Sequence, residues 1–89
     1  MKHQYHLGGP KAAALRETVK VRALINELDR RVRILENDIT REEERTRVSD
    51  PCSGAYPILA RMMMARRDNL KETIAALERR LAPVRAQNA

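Results

Sequence analysis

Few residues of this sequence could form a catalytic site. The two histidines, His3 and His6, lie within the first ten residues, ahead of a Gly-Gly pair. A general base must be held in a fixed geometry, which a flexible segment does not provide. No GxGxxG, P-loop, GxSxG or HExxH motif is present. We interpret the acidic run Glu42–Glu44 as a solvated face, and we expect a non-enzymatic protein without catalytic residues.

Metal ligands are equally sparse. His3, two residues behind Met1, could chelate Cu(II) or Ni(II) together with a free terminal amine, and His6 could share a metal with it. Cys52 is the single cysteine, so an intrachain disulfide is impossible, and no second thiol or imidazole stands near it to complete a zinc site. We interpret both histidines as part of a tail, and the sequence predicts neither a metal site nor a cofactor.

The compartment follows from the same residues and from the absence of long apolar runs. A single cysteine fits a reducing environment. Residues 1–10 lack the apolar core of a signal peptide, and no apolar run approaches the ~20 residues of a membrane span. We therefore expect a cytoplasmic protein with no membrane partner.

Charge provides the strongest indication of a ligand. The net charge is +6, and arginines outnumber lysines. In a helical hairpin the basic N-terminal half of the chain would lie beside its basic C-terminal end and could neutralise phosphates. The residues of this predicted nucleic-acid contact are Arg16, Lys20, Arg30, Arg31, Arg33, Arg79 and Arg80. No aromatic residues are interleaved for base stacking, so nucleic-acid binding is an alternative and not the favoured function.

A heptad pattern determines which elements hold these side chains. Apolar residues between positions 21 and 39 are spaced alternately four and three apart, which predicts a helix that packs along its length against another helix. The same spacing recurs between positions 56 and 84. Asp-Pro, Ser-Gly and Tyr-Pro pairs between the two segments indicate a turn. The sequence therefore predicts an all-α fold, an antiparallel two-helix hairpin resembling a coiled coil.

Folding the chain near residue 52 places residue i opposite about residue 104 − i. The predicted intrachain core comprises Val21, Ile25, Leu28, Val32, Leu35, Ile39, Met63, Leu70, Ile74, Leu77 and Leu81. In this register Arg67 faces Glu36–Asp38, and Arg61 and Arg66 face acidic residues of the first helix. The domain boundaries expected are a disordered arm over 1–9, a hairpin over 10–85 and a frayed tail over 86–89. Within the hairpin we expect helices over about 10–47 and 56–82, with a loop over about 48–55.

Some apolar residues lie beside the seam and widen it beyond what one partner helix covers. These residues, which we predict to form an oligomer interface, are Leu24, Ile34, Leu59, Met62 and Met64. We expect two hairpins to associate as a homodimer, a four-helix bundle. Another helical protein is the alternative partner for the same apolar surface.

The function predicted from these patterns is that of a protein–protein interaction or oligomerisation module. Sequence-neutral nucleic-acid binding by the basic end is one alternative. The Asp50-Pro51 turn, followed by Leu59-Ala60-Arg61, resembles the hairpin of type III secretion needle subunits, and the resemblance covers the turn alone. A chaperone or regulator of secretion, which would copurify with one defined partner, is the second alternative.

Overall fold

Two helices packed against each other make up the fold. The structure is a computed structural model that describes residues 9–88, and the side chains of residues 9–81. Helix α1 spans Pro10–Thr46 and helix α2 spans Ile58–Asn88, and no strand occurs among the described residues. The two helices form an antiparallel hairpin, as predicted, in a rod with principal extents of 68 × 26 × 16 Å.

Helix α1 begins where its sequence provides a suitable first turn. Pro10 occupies the first helical position, where its missing N–H has no intrahelical partner to lose. Gly9 precedes it in an extended conformation, and its carbonyl accepts the first helical hydrogen bond, from the Ala13 N–H at 2.9 Å. No residue of α1 after Pro10 is Gly or Pro, so the helix continues without interruption to Thr46.

The loop between the helices is built from local hydrogen bonds. Asp50 accepts twice: its side chain from the Cys52 N–H at 2.9 Å and its carbonyl from the Ser53 N–H at 3.0 Å. Ser53 then accepts from the Ala55 and Tyr56 N–H groups, through its hydroxyl and its carbonyl respectively. Short polar side chains thus satisfy the backbone where helix geometry ends.

The core follows the predicted heptad seam. One buried cluster contains Val21, Leu28, Leu77 and Leu81, with Ile25, Leu70 and Ile74 packed against it. A second, nearer the loop, contains Ile39, Tyr56 and Ala60, with Val48, Met63 and Met64 packed against it. Val32 is buried between these levels and Leu35 is half-buried. Every residue of the predicted core is therefore buried or half-buried.

The helix boundaries differ from the expectation at two places. Helix α2 begins at Ile58 instead of about 56, because a residue before proline avoids the helical region and the Pro57 carbonyl accepts the first hydrogen bond of the helix. It continues to Asn88, beyond the predicted end at 82 and through residues 86–88 of the predicted tail. A proline removes one helical hydrogen bond and kinks a helix without always ending it, and good helix formers flank Pro83. Residues 1–8 of the arm predicted over 1–9, and residue 89 of the predicted tail, lie outside the described residues.

We expect Arg47→Gly to raise the free energy of unfolding by about 0.5–1 kcal/mol, because Arg47 ends α1 in the left-handed conformation, at φ 60° and ψ 26°. A side chain with a Cβ atom is strained there, and glycine is not. Urea unfolding followed by helical circular dichroism measures the change. The matched control is Arg41→Gly, on the exposed surface of the same helix, which should lower stability by about 1 kcal/mol. A loss of stability in Arg47→Gly would contradict the account of this helix end.

Candidate interaction surface

Two flanks run along the hairpin beside the buried seam. In heptad notation the seam occupies positions a and d of both helices, with Ile25 at a and Leu28 at d. Arg80 donates to Glu17 at 3.1 Å, and both residues are at position g. Lys71 lies 3.7 Å from Glu36, and both are at position e. Like positions of the two helices therefore share a side, which gives the hairpin a g flank (positions g and c) and an e flank (positions e and b).

Large apolar side chains lie exposed on the g flank. Leu24 and Ile34 of α1 are 46% and 55% exposed, and Leu59 and Met62 of α2 are 54% and 63% exposed. Leu24 and Leu59 are at position g, and Ile34 and Met62 are at position c. We call these four residues the lateral strip. Because seam residues stay in heptad register from 21 to 81, the four side chains face the same side of the rod.

Met64 is placed differently from the other four predicted interface residues. It is at position e, is half-buried, and packs within the chain against Ile39, Tyr56 and Ala60. Its sulfur lies 3.3 Å from the Tyr56 hydroxyl oxygen. Met64 therefore belongs to the core near the loop, because the loop brings Tyr56 over the e flank at this level.

Tyr56 forms a side-chain hydrogen bond with Glu43 that the heptad pattern does not predict. The side chain is 3% exposed, and its hydroxyl donates to Glu43 Oε2 at 2.7 Å. The Arg61 guanidinium lies over the ring, 5.3 Å from its centroid. Burial, and then the hydrogen bond to Glu43, raise the pKa of the Tyr56 phenol. The sequence predicts that Glu43 belongs to a solvated acidic face, whereas in the structure its carboxylate accepts the Tyr56 hydrogen bond at the loop end of the hairpin.

Arg67, the arginine on the seam, forms its ion pair with a residue other than the predicted ones. Arg67, at position a, is mostly buried and bonds the neighbouring Asp68 at 3.0 Å, not Glu36–Asp38. Glu36 pairs with Lys71 instead. A guanidinium on the seam turns outward to reach water and a carboxylate on its own helix, since burying an unpaired charge is costly.

Most of the predicted nucleic-acid contacts are engaged in ion pairs. Arg30 and Arg31 both bond Glu27, the second at 3.4 Å, and these bonds lower the pKa of Glu27. Arg33 bonds Asp29 at 2.5 Å and Arg80 bonds Glu17 at 3.1 Å. The remaining three residues, Arg16, Lys20 and Arg79, are exposed. Carboxylates next to these guanidinium groups compete with phosphate for the same donors and lower the local positive potential.

Other chemistry is sparse on this surface. Within residues 9–88 no three His, Cys, Asp or Glu side chains are grouped to hold a metal ion. His3 and His6 lie outside that range. Cys52 is an exposed free thiol in the loop. In the described part of the chain, neither helix has a stretch apolar and long enough to cross a bilayer. The lateral strip holds four of the seven large apolar side chains that are exposed among the described residues.

Comparisons with protein-family models, with characterised proteins and with solved structures find no match to this chain.

We expect Tyr56→Phe to lower the free energy of unfolding by about 1 kcal/mol at pH 7, because it removes a hydrogen bond to a carboxylate from a buried ring. The folded-state pKa of Tyr56 is raised above the unfolded value of about 10. The advantage over Phe is thus fully present below about pH 10 and declines as pH rises through the folded-state pKa.

Denaturant unfolding of both proteins between pH 7 and 11 measures this difference. Glu44→Gln, at the exposed neighbour of Glu43, is the control and should change stability little. A difference between the wild type and Tyr56→Phe that stays constant up to pH 11 would argue against the Tyr56–Glu43 bond.

Proposed function

We propose that this chain is a non-enzymatic protein–protein interaction module that assembles with itself through the lateral strip. The observation that supports the proposal is the position of Leu24, Ile34, Leu59 and Met62, each about half exposed on one flank. Their burial against a second apolar surface would remove apolar area from water, which favours association. Two hairpins joined in this way form a four-helix bundle.

The balance between buried and exposed side chains supports the same proposal. The described core consists of Val21, Leu28, Val32, Ile39, Tyr56, Ala60, Leu77 and Leu81. Almost as many large apolar side chains remain exposed: Leu15, Val19, Leu24, Ile34, Ile58, Leu59 and Met62. Four of these seven, the residues of the lateral strip, lie on one flank. Exposed apolar groups that lie together on one surface are typical of interaction sites. A second copy of the chain carries the same apolar strip, and a two-fold dimer places the same surface of both copies in contact.

The two alternative functions make different predictions for the same protein. A nucleic-acid binder would retard random-sequence duplex DNA or RNA, with an affinity that falls steeply as salt rises. The ion pairs of Arg30, Arg31, Arg33 and Arg80 do not favour this alternative. A secretion chaperone or regulator would copurify with one defined partner and would bind it through the same strip, as a monomer.

We expect sedimentation equilibrium at micromolar concentration to give twice the chain mass of 10.2 kDa. Ile34→Glu should weaken the dimer by at least about 30-fold. It removes about 1 kcal/mol of apolar burial from each copy, or about 2 kcal/mol from the pair, before any cost of burying the carboxylate.

Val19→Glu is the matched control, because Val19 is 60% exposed but lies at position b, on the e flank. It introduces the same charge and should leave the dimer intact. A wild-type chain that sediments as a monomer at these concentrations would overturn the proposal. So would equal weakening by the two substitutions.

A further inference from the structure

The charges on either side of Ile34 along the g flank of α1 have opposite signs at matched distances. Arg31 lies three residues before Ile34 and Asp38 four residues after it. Glu27 lies seven before and Arg41 seven after. All four residues are at position g or c, as Ile34 is, so they line the same side of the helix. The four charged residues nearest Ile34 on this flank are therefore reversed in sign about it.

We propose that two copies of the chain associate antiparallel, with α1 against α1 and the two-fold axis at Ile34. The arrangement rests on the proposed self-association. The two Ile34 side chains then meet at the centre. Arg31 of each copy faces Asp38 of the other, and Glu27 of each faces Arg41 of the other, which makes four ion pairs about one apolar contact.

Two of these four charged groups are available for a partner. Asp38 is half-buried, Arg41 is exposed, and neither forms an ion pair with another residue in the part of the chain that the structure describes. The contact between Arg31 and Glu27 is long, 3.4 Å from Nε to Oε2, and therefore weak. A guanidinium held this loosely can reach a carboxylate on a second helix without losing a strong bond in its own chain.

The apolar residues of the lateral strip match the same axis. The polar contacts between the helices join Glu17 with Arg80, Glu36 with Lys71, and Glu43 with Tyr56, so paired positions sum to about 101. Leu59 and Met62 are therefore level with about residues 42 and 39 of α1. At ~1.5 Å per residue they lie roughly 7–12 Å beyond Ile34, and Leu24 lies about 15 Å before it. Reversal about Ile34 places Leu24 on α1 of one copy within one helical turn, measured along the rod, of the level of Leu59 on α2 of the other.

A parallel stack has less charge complementarity. A two-fold axis along the rod sets α1 of one copy against α2 of the other, so Arg31 does not meet Asp38 and the two Ile34 residues do not face each other. Arg66, at position g of α2 and level with about residue 35, would pair there with Asp38 of the other copy, which gives two ion pairs. The antiparallel form sets the two Arg66 residues near each other at the axis but makes four ion pairs along α1. Specificity between two arrangements of the same surfaces comes from such charge pairing. The sign reversal about Ile34 thus selects the antiparallel form.

The native cysteine reports the arrangement directly. Cys52 is exposed in the loop, at one end of the rod and away from the lateral strip. Helix α1 ends at Thr46, 12 residues and so about 18 Å beyond Ile34, and the loop that carries Cys52 continues from there. The antiparallel dimer therefore separates the two Cys52 residues by at least about 36 Å. A parallel dimer places both loops at the same end, within about 25 Å, since packed helices lie ~8–10 Å apart.

The experiment is double electron–electron resonance on the full chain, spin-labelled at Cys52, together with its sedimentation mass. We expect a dimer with a label separation of at least about 36 Å. A dimer with a separation below about 25 Å would overturn the antiparallel arrangement and leave self-association standing. A single-chain mass with no dipolar signal would overturn both.

Charge exchange tests the pairing itself. Asp38→Arg should raise the Kd of the dimer at least tenfold, because it sets two arginines against each other twice. Arg31→Asp combined with Asp38→Arg should return the Kd to within about threefold of the wild-type value. Asp29→Arg, on the e flank, is the control and should leave the Kd unchanged. An unchanged Kd in Asp38→Arg, or no recovery in the double variant, would contradict the proposal.

Discussion

Two helices can bury only the side chains that lie between them, and this limit determines most of what the hairpin does. The seam residues at positions a and d are covered, from Val21 and Leu81 at one end to Ile39 and Ala60 at the other. Most positions flanking the seam are exposed, and Met64 is an exception because the loop brings Tyr56 over it. Where those positions are charged, as at Glu36 and Lys71, they form ion pairs across the hairpin. Where they are apolar, as at Leu24 and Ile34, only a further helix can cover them.

The loop end of the rod depends on a different interaction. Tyr56 is buried against Ile39 and Ala60, and its hydroxyl is satisfied by Glu43. This bond ties the last turns of α1, where the apolar seam has ended, to the start of α2. The last turns of α1 are mainly charged, and the buried ring of Tyr56 packs against this end of the helix. Its hydrogen bond also explains why a carboxylate is needed at this level of α1.

Much of the fold follows from the sequence, because heptad spacing is a property of residue order alone. The spacing from Val21 to Ile39, and its recurrence after Tyr56, predict both helices, their antiparallel packing and the core. The Tyr56–Glu43 bond could not be predicted, because the reach of a side chain next to a turn depends on the path of the loop. The partner predicted for Arg67 was wrong for a related reason, because a long side chain can reach several carboxylates and the sequence does not say which one it bonds. The predicted end of α2 at 82 was wrong because good helix formers on both sides of Pro83 allow the helix to continue through the proline. Heptad spacing also places Leu24, Ile34, Leu59 and Met62 beside the seam, where they are exposed in the hairpin; residue order alone does not identify what covers them.

Whether the hairpin completes its fold with a second copy is tested most directly by the concentration dependence of thermal unfolding. A chain that buries the lateral strip in a dimer is stabilised by mass action. Its Tm should rise by several degrees for each tenfold increase in protein concentration between about 1 and 100 µM. A Tm that is independent of concentration over this range would contradict the account.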